Sequence, residues 1–408
     1  MHGPSYISLF SGAGGLDLGL ELAGWKTAYA SDNDPVAVAT LKANVGTKLA
    51  SGGRAFEGAH IEQADVTALD PATLLAKAGM TVGSVPLLAG GPPCQSWSSA
   101  GHQRGFEDAR GRLFDDFVRI ANGIDARWLL LENVRGLLTA RGPDGQPGSA
   151  LNHIRRNLLK AGFQTTVGLL NAADYGVAQR RVRLIMIGFR AGDAPHFPAP
   201  THAKKPNDGL LPWVTLGEAL SELDELTPDE IMFPTGKMAT DLANIPAGKG
   251  VKSMGKAERT RPGGHWGYKQ GAFVADLGQS ARTVTANAQQ DWVRDPILGL
   301  RRLCPRECAA IQSYPDHWQF EGNKQAKYRQ IGNAVPPRLA MALGASLLDQ
   351  NVQSHATIGA GIDALLPLSD KLQYHVKYTL REEQSNGASR RQAPALRKLA
   401  SMVSGSAA

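Results

Sequence analysis

The sequence predicts an α/β fold built on a doubly wound, mostly parallel sheet, and three observations predict it. Short apolar runs alternate with stretches of helical spacing through the first 190 residues. Several runs end in glycines or acids, as expected at the strand ends where such sheets collect ligands. One run, Leu87-Leu88-Ala89, stops abruptly in Gly90-Gly91-Pro92-Pro93-Cys94-Gln95. That places the only cysteine of the first three hundred residues on a loop at a strand's carboxyl end.

The elements follow in order. Ser5 to Phe10 reads as a strand, Ser11-Gly12-Ala13-Gly14-Gly15 as a turn, and Leu16 to Ala23 as a helix. Thr27 to Ser31 is a second strand, and Pro35 to Asn44 a helix opened by proline. Further strands are expected near 61–64, 85–89, 128–131, 163–170 and 182–189. After Arg190 the character changes. Pro195, Pro198, Pro200, Pro206 and Pro212 mark a linker into a less regular region rich in Gly, Lys and turn residues. A helix-containing segment is expected over 300–312 and an ordered apolar one over 328–348. The division expected is 1–190 plus 325–350 as one domain, 191–324 as a smaller one, and 351–408 as an extension with a mobile end.

Composition bounds the function. Apolar residues make up 42% and charged residues 20% of 408, as in a globular and not a disordered chain. No run reaches the length of a membrane span, and Met1-His2-Gly3-Pro4-Ser5 does not open a secretory signal. Three cysteines argue against a disulfide framework and point to reducing cytoplasm. A formal charge of +7 suits an anionic partner such as nucleic acid, although many basic proteins bind none.

Phe10 to Gly15, between a strand and a helix, lets backbone approach a ligand and offers free helix amides. Asp32 ends the next strand, where an acid can hold ribose hydroxyls, and Asp65-Val66 ends the third. The spacing is not that of a dinucleotide fingerprint. The bland alternative is a tight turn with two solvated acids.

The chemistry gathers around three further pieces. A thiol is only slightly ionised at neutral pH yet very nucleophilic, and nearby arginines or a helix start raise its thiolate fraction. Cys94 fits that use; the alternative is an inert buried cysteine. Glu132 follows Trp128-Leu129-Leu130-Leu131, and burial there should raise its pKa and leave it a usable proton. The alternative is an acid at a helix start. Arg181 and Arg183 alternate along a strand and share a face, with Arg180 on the other, unless this is a solvated edge. Cys304 and Cys308 sit in a helical pattern without two more zinc ligands, so no metal is expected.

These pieces resemble the cytosine C5 DNA methyltransferases of bacterial restriction-modification systems, over about residues 5–190 and 282–345. The resemblance rests on Phe10 to Gly15, Asp32, Asp65-Val66, Gly91-Pro92-Pro93-Cys94-Gln95, Asp108 to Phe114 and Glu132-Asn133-Val134. It continues through Asn171 to Gly176, Gln179 to Arg183, Arg302 to Cys308 and Gln330 to Pro337, in the family's order. It implies the class I S-adenosylmethionine-dependent methyltransferase fold and a cytosine flipped out of duplex DNA. Cys94 would attack C6, Glu132 would hold N3 and the amino group, and Arg183 would bind O2 with Arg181 in support. S-adenosylmethionine would rest on Phe10, Gly12, Gly14 and Gly15, with Asp32 on its ribose and Asp65 and Val66 on its adenine. Pro92 and Asn333 to Val335 would close that pocket, the last segment packing beside the first strand. Ser96 to about Phe114 would be a mobile catalytic loop, with Gln95, Ser98, Arg104 and Arg110 as DNA contacts. Arg282 and Thr283 would grip the DNA backbone. Asp32 stands where the family usually has Glu, Trp97 where Phe is common, and Cys304 where Thr is usual.

Residues 191–281 match no motif and would be the target recognition region, where His265, Trp266, Tyr268 and Lys269 either read the major groove or form a small core. The resemblance implies a monomer protecting host DNA from a cognate restriction endonuclease. The rival readings are a transfer RNA methyltransferase of the same fold, a non-catalytic DNA-binding regulator and, more remotely, a NAD-dependent oxidoreductase. The stretch after Asn351 is either a basic DNA-binding extension or disordered.

Overall fold

A computed structural model describes residues 3–93, 113–142, 144–190, 192–207, 209–251, 272–350 and 364–381. The readings placed on Cys94, Gln95, Ser98, Arg104, Arg110, His265, Trp266, Tyr268, Lys269 and the chain's end lie outside the described residues.

The alternation predicted for the first 190 residues is present. Strands β1 (Ser5–Leu9), β2 (Lys26–Asp32), β3 (His60–Gln63), β4 (Leu87–Gly90), β5 (Trp128–Val134), β6 (Gln164–Asn171) and β7 (Val182–Phe189) form one sheet. Its order is β3-β2-β1-β4-β5-β7-β6. All neighbours are parallel except that β7 runs antiparallel to both β5 and β6. Helices α1 (Gly15–Leu22), α2 (Pro35–Ala43), α3 (Pro71–Ala78), α4 (Leu113–Gly123) and α5 (Ser149–Lys160) alternate with the strands.

Local chemistry sets the boundaries. Asp34 caps α2 by accepting from Val36 N, with Pro35 at the first helical position. Asp70 caps α3 through Thr73 N, and Gly79 ends it in the left-handed conformation. The central strands β4 and β5 are buried almost throughout, as a sheet covered on both faces requires.

Beyond the sheet come β8 (His202–Ala203), β9 (Leu211–Pro212), α6 (Leu216–Ser221) and α7 (Gly236–Ala243). A small sheet follows, made of β10 (Lys249–Gly250), β11 (Phe273–Val274), β12 (Trp292–Asp295) and β13 (Gly299–Arg302). The chain returns through α8 (Pro305–Ile311), α9 (Lys324–Asn333) and α10 (Pro337–Asp349). A last helix, α11, spans 370–381. No helix among the described residues is long and apolar enough to cross a membrane.

A small apolar cluster of Leu242, Ile245, Val274 and Trp292 backs the small sheet, and three larger ones join the large sheet to its helices and to the returning segment. One face of the sheet packs under α3, α4 and α5, through Leu74, Phe117, Ile120 and Leu151. The other packs under α1 and α10, through Leu16, Leu20, Leu339 and Leu343. A third joins Leu18, Leu41 and Phe56 to Val284, Leu303, Tyr314, Trp318 and Ile331, seating the returning segment against α1 and α2.

The α1–α10 contact is close because of Gly19. A β-carbon there would lie 2.3 Å from Pro337 O and 2.4 Å from Ala340 Cβ. Backbone on one side leaves no cheap relaxation. Gly19→Ala should therefore lower stability by about 1–3 kcal/mol despite alanine's better helix propensity. Urea denaturation of the two proteins checks this; equal midpoints would mean that α10 can slide.

Candidate active site

The sheet order reverses between β1 and β4, which send their chains to opposite sides. A cleft forms outside the carboxyl ends at such a point. Here it has a volume of about 890 Å³ and runs from the loop after β1 to the ends of β5 and the start of β7.

At one end is the glycine turn. Phe10 takes a positive φ of 56°, unusual for a residue with a side chain, and Gly12 follows at 54°. Open space lies over Gly12, where no atom stands within 4 Å of a would-be β-carbon. Asp32 holds the turn: its Oδ2 accepts from Gly12 N and its Oδ1 from Asp34 N, both at 2.8 Å. Burial raises the Asp32 pKa, with those amides opposing the shift. Asp65 and Val66 line the same end just beyond β3. Asp65 Oδ1 accepts from both Thr67 N and Thr67 Oγ1.

Gly15 faces the far wall so closely that a β-carbon would meet Val335 O at 2.3 Å and Tyr314 Oη at 2.5 Å. Gly14 behaves differently from its expected role. It caps α1 at φ 76° and lies against Leu41, Phe56 and Trp318, outside the cleft lining. It serves the core behind the turn, because a left-handed cap leaves no room there for a side chain.

At the other end is Glu132, 8% exposed although it belongs to a strand in the cleft wall. Arg183 Nε lies 2.7 Å from Glu132 Oε1. Burial is the largest influence on Glu132 and raises its pKa; Arg183 and then Arg181 pull it back without cancelling it. Arg181 is 1% exposed. It donates to Val284 O at 3.0 Å, Gly332 O at 2.7 Å and Ala334 O at 3.0 Å. The shared face expected of Arg181 and Arg183 is thus observed, since both line the cleft.

Gly91 to Pro93, the start of the loop that carries Cys94, runs beside Glu132: a β-carbon on Gly91 would lie 3.2 Å from Glu132 Oε2. Asn133 Nδ2 donates to Pro92 O at 3.0 Å and fixes that approach. Asn333 and Val335 close the cleft from the returning segment, and Thr283 lines it as well. Arg282 does not. Its guanidinium pairs with Asp291 through two hydrogen bonds and lies 4.0 Å over the Phe273 ring. A bidentate pair plus ring stacking holds it on the small sheet.

Sequence reasoning missed several positioning residues. Asn133 was visible only as part of a motif. Gln179, fully buried, accepts from Val284 N and donates to Gln312 Oε1, stitching the start of β7 to the returning segment. Arg329 and Asp34 meet at 2.7 Å on the cleft's rim. Asn133 and Gln179 were quoted within motifs but given no role, because the role of each depends on partners far away in sequence. The remaining cysteines are buried, and burial pushes Cys304 up to about 12 and raises Cys308 well above the usual thiol range, so both are inert thiols.

The family described as C-5 cytosine-specific DNA methylase matches residues 5–349. Among curated relatives, the type II methyltransferase M.NgoFVII of Neisseria gonorrhoeae is 31% identical, over 85% of this chain and 86% of its own length. The type II methyltransferase M.PspPI of Psychrobacter sp. (strain TA137) is 35% identical, over 84% of this chain and 79% of its own. Among solved structures, the Dnmt2 methyltransferase of S. pombe aligns with a TM-score of 0.59 at 15% identity, covering 85% of this chain and 99% of that one. That likeness concerns the fold alone.

Behind the glycine turn, α1 buries two acids that the apolar helix pattern did not single out. Asp17 accepts from Tyr6 Oη at 3.0 Å, and Glu21 accepts from Thr27 Oγ1 at 2.7 Å and Phe56 N at 3.0 Å. Burial is the main cause that lifts Asp17 to about 6 and Glu21 to about 7. Above its unfolded pKa each acid ionises more readily in the unfolded chain. Their contribution to stability is full below about pH 4 and is lost as pH rises toward 7. Glu21→Gln should flatten that decline, removing up to about 3 kcal/mol of pH dependence. Urea titrations at pH 4.5, 6 and 8 read it; a variant as pH-dependent as the wild type would assign the slope elsewhere.

Proposed function

Because the chain belongs to the C-5 cytosine-specific DNA methylase family, we propose that it methylates C5 of a cytosine flipped from a specific duplex sequence, through a covalent bond between Cys94 and C6. It is a S-adenosylmethionine-dependent DNA methyltransferase. One observation carries the finer reading: a buried carboxyl held by a guanidinium stands at the end of the same cleft whose other end is the Asp32-clamped turn.

The chemistry follows from these groups. A duplex hides the ring atoms of its bases, so the target must leave the stack. The Cys94 thiolate adds to C6 and pushes the electron pair of the C5–C6 double bond toward C5. Glu132 stands ready at N3. Burial leaves its carboxyl more readily protonated than usual, so it can donate as the ring gains electrons. Arg183 orients that carboxyl and offers its remaining N–H groups to O2 of the base. After methyl transfer, loss of the C5 proton to a base and expulsion of Cys94 restore the double bond.

S-adenosylmethionine, when bound, supplies the methyl group as an electrophile. The residues present fit it. Asp32 keeps lone pairs for ribose hydroxyls, Asp65 and Val66 stand where adenine would lie, and Gly12 leaves the space above it open. Phe10, Gly15, Pro92, Asn333 and Val335 wall the remainder.

Residues 1–190 with 325–350 would form the catalytic domain and 191–324 the target recognition domain. Duplex DNA is the substrate, contacted by Gln95, Ser98, Arg104, Arg110 and Thr283. Arg282, paired with Asp291, braces the loop from which Thr283 faces the cleft. The same reading makes this a monomeric cytoplasmic enzyme that protects its host from a cognate restriction endonuclease.

Duplex DNA carrying 5-fluorocytosine tests the reading, because fluorine cannot depart as a proton. The protein should remain attached to such DNA on a denaturing gel, only with S-adenosylmethionine and not as Cys94→Ala. DNA that is bound yet never attached would sink the catalytic reading, and attachment to transfer RNA instead would reassign the substrate. With ordinary cytosine, Glu132→Gln should lower kcat about 10²- to 10⁴-fold, measured by transfer of labelled methyl groups to DNA.

A further inference from the structure

Helix α11 lies beyond the residues that match the family, and neither the turn nor the catalytic groups need it. It is nevertheless docked. Leu372 is 2% exposed in the cluster under α4 and α5, and Val376 packs on Gly148 at the start of α5. Just ahead of the helix, Ala364 O accepts from Gln164 at 2.8 Å and Leu366 O accepts from Arg155.

The opposite face is of another kind. Lys371, Tyr374, Lys377, Tyr378 and Arg381 recur at helical spacing and fall within one stripe, diametrically across from Leu372 and Val376. Lys371, Tyr374, Lys377 and Arg381 are exposed, Tyr374 by 53%. The Tyr374 and Tyr378 rings lie 6.2 Å apart. Among the described residues of the helix the one acid is Asp370, in the first turn, where it complements the helix dipole. Lys371 has Asp174 near it at the sheet edge, while Lys377 stands on the stripe with no acid in the described turns on either side of it.

Position gives the stripe its partner. The helix shares an apolar cluster with Leu137 and Leu138 of the 3₁₀ turn Arg135–Thr139, which directly follows the strand that carries Glu132, and His375 feels the charge of Arg135. Asp174, close to Lys371, follows the end of β6 at the same edge of the sheet. Lys371 and Arg381 are ten residues apart, about 15 Å along the helix, equal to the rise of about four base pairs.

We propose that α11 is a second DNA-binding element, whose Lys371, Lys377 and Arg381 contact backbone phosphates beside the methylated site while Tyr374 lies against the sugars. Its partner rests on the duplex DNA reading above. The contact is independent of sequence, so it lengthens the footprint without changing the target.

The test compares the full chain with the triple variant Lys371→Ala, Lys377→Ala, Arg381→Ala. Affinity is measured against salt on a duplex just covering the target and on one longer by ten base pairs on each side. The wild type should prefer the longer duplex. The variant should lose that preference, with its log–log salt slope on the longer duplex shallower by about 2 to 3. At saturating DNA its kcat should be unchanged, which also shows that it is folded. An unaltered slope and preference would overturn the proposal, as would a loss confined to structured RNA. If neither protein methylates any duplex, the functional reading fails, and the salt slopes still report on α11 separately.

Discussion

The cleft depends on one buried cation. Arg181 is the largest fully buried side chain among the described residues, and its guanidinium donates to three backbone carbonyls more than a hundred residues away. Those carbonyls belong to the chain beyond the large sheet: Val284 in the loop between β11 and β12, Gly332 and Ala334 at the end of α9. Burying a guanidinium is costly unless its donors are satisfied, and breaking such an arrangement costs more than forming it gains. Arg181 therefore fixes where the second wall of the cleft stands. It also lends its charge to Glu132. The same residue thus places one wall of the cleft and adds, after Arg183, to the field at Glu132.

Much of this was legible in the sequence because it was local. The alternation located every strand of the large sheet, and the central ones, β4 and β5, are plainest because a strand buried on both faces is written as a short apolar run. The raised pKa of Glu132 followed from its place after Trp128 to Leu131. What escaped was non-local. Gly14 and Gly15 are adjacent and identical in type, yet one meets the apolar side chains of Leu41, Phe56 and Trp318 and the other meets Val335 O. No sequence rule separates them, because the difference is made by what arrives from elsewhere. Arg282 looked like a free cation until β11 and Asp291 were seen beside it. The acids of α1 were readable in principle, as two carboxyls four residues apart on an otherwise apolar helix.

The glycine turn shows how strain is distributed. Phe10 and Gly12 both hold positive φ, and only Phe10 pays for it with a β-carbon. The compensation lies in Asp32, which ties Gly12 N and Asp34 N to one carboxylate. The same carboxylate thus shapes the loop, starts α2 through the Asp34 backbone and presents its spare lone pairs to the cleft. An acid as short as Asp suits this double use, because its carboxylate stays close to the backbone that it must hold.

The pairing of Glu132 with Arg183 has a topological cause. In a fully parallel sheet the first residues of β7 would lie at the amino ends of its neighbours, a whole strand length away from Glu132. Because β7 runs antiparallel to β5, its second residue, Arg183, pairs with Val134 near the end of β5. Glu132 lies two residues before Val134 and so on the same face, diagonal to Arg183 across the ladder. That diagonal is within reach of a long side chain, and the 2.7 Å contact results. The single reversed strand in the interior of the sheet is what turns a buried acid at a strand's end into an oriented one. Arg181, two residues earlier on the same side, can then reach past the sheet to the returning segment. Direction of one strand, not any special loop, brings both arginines to the carboxyl.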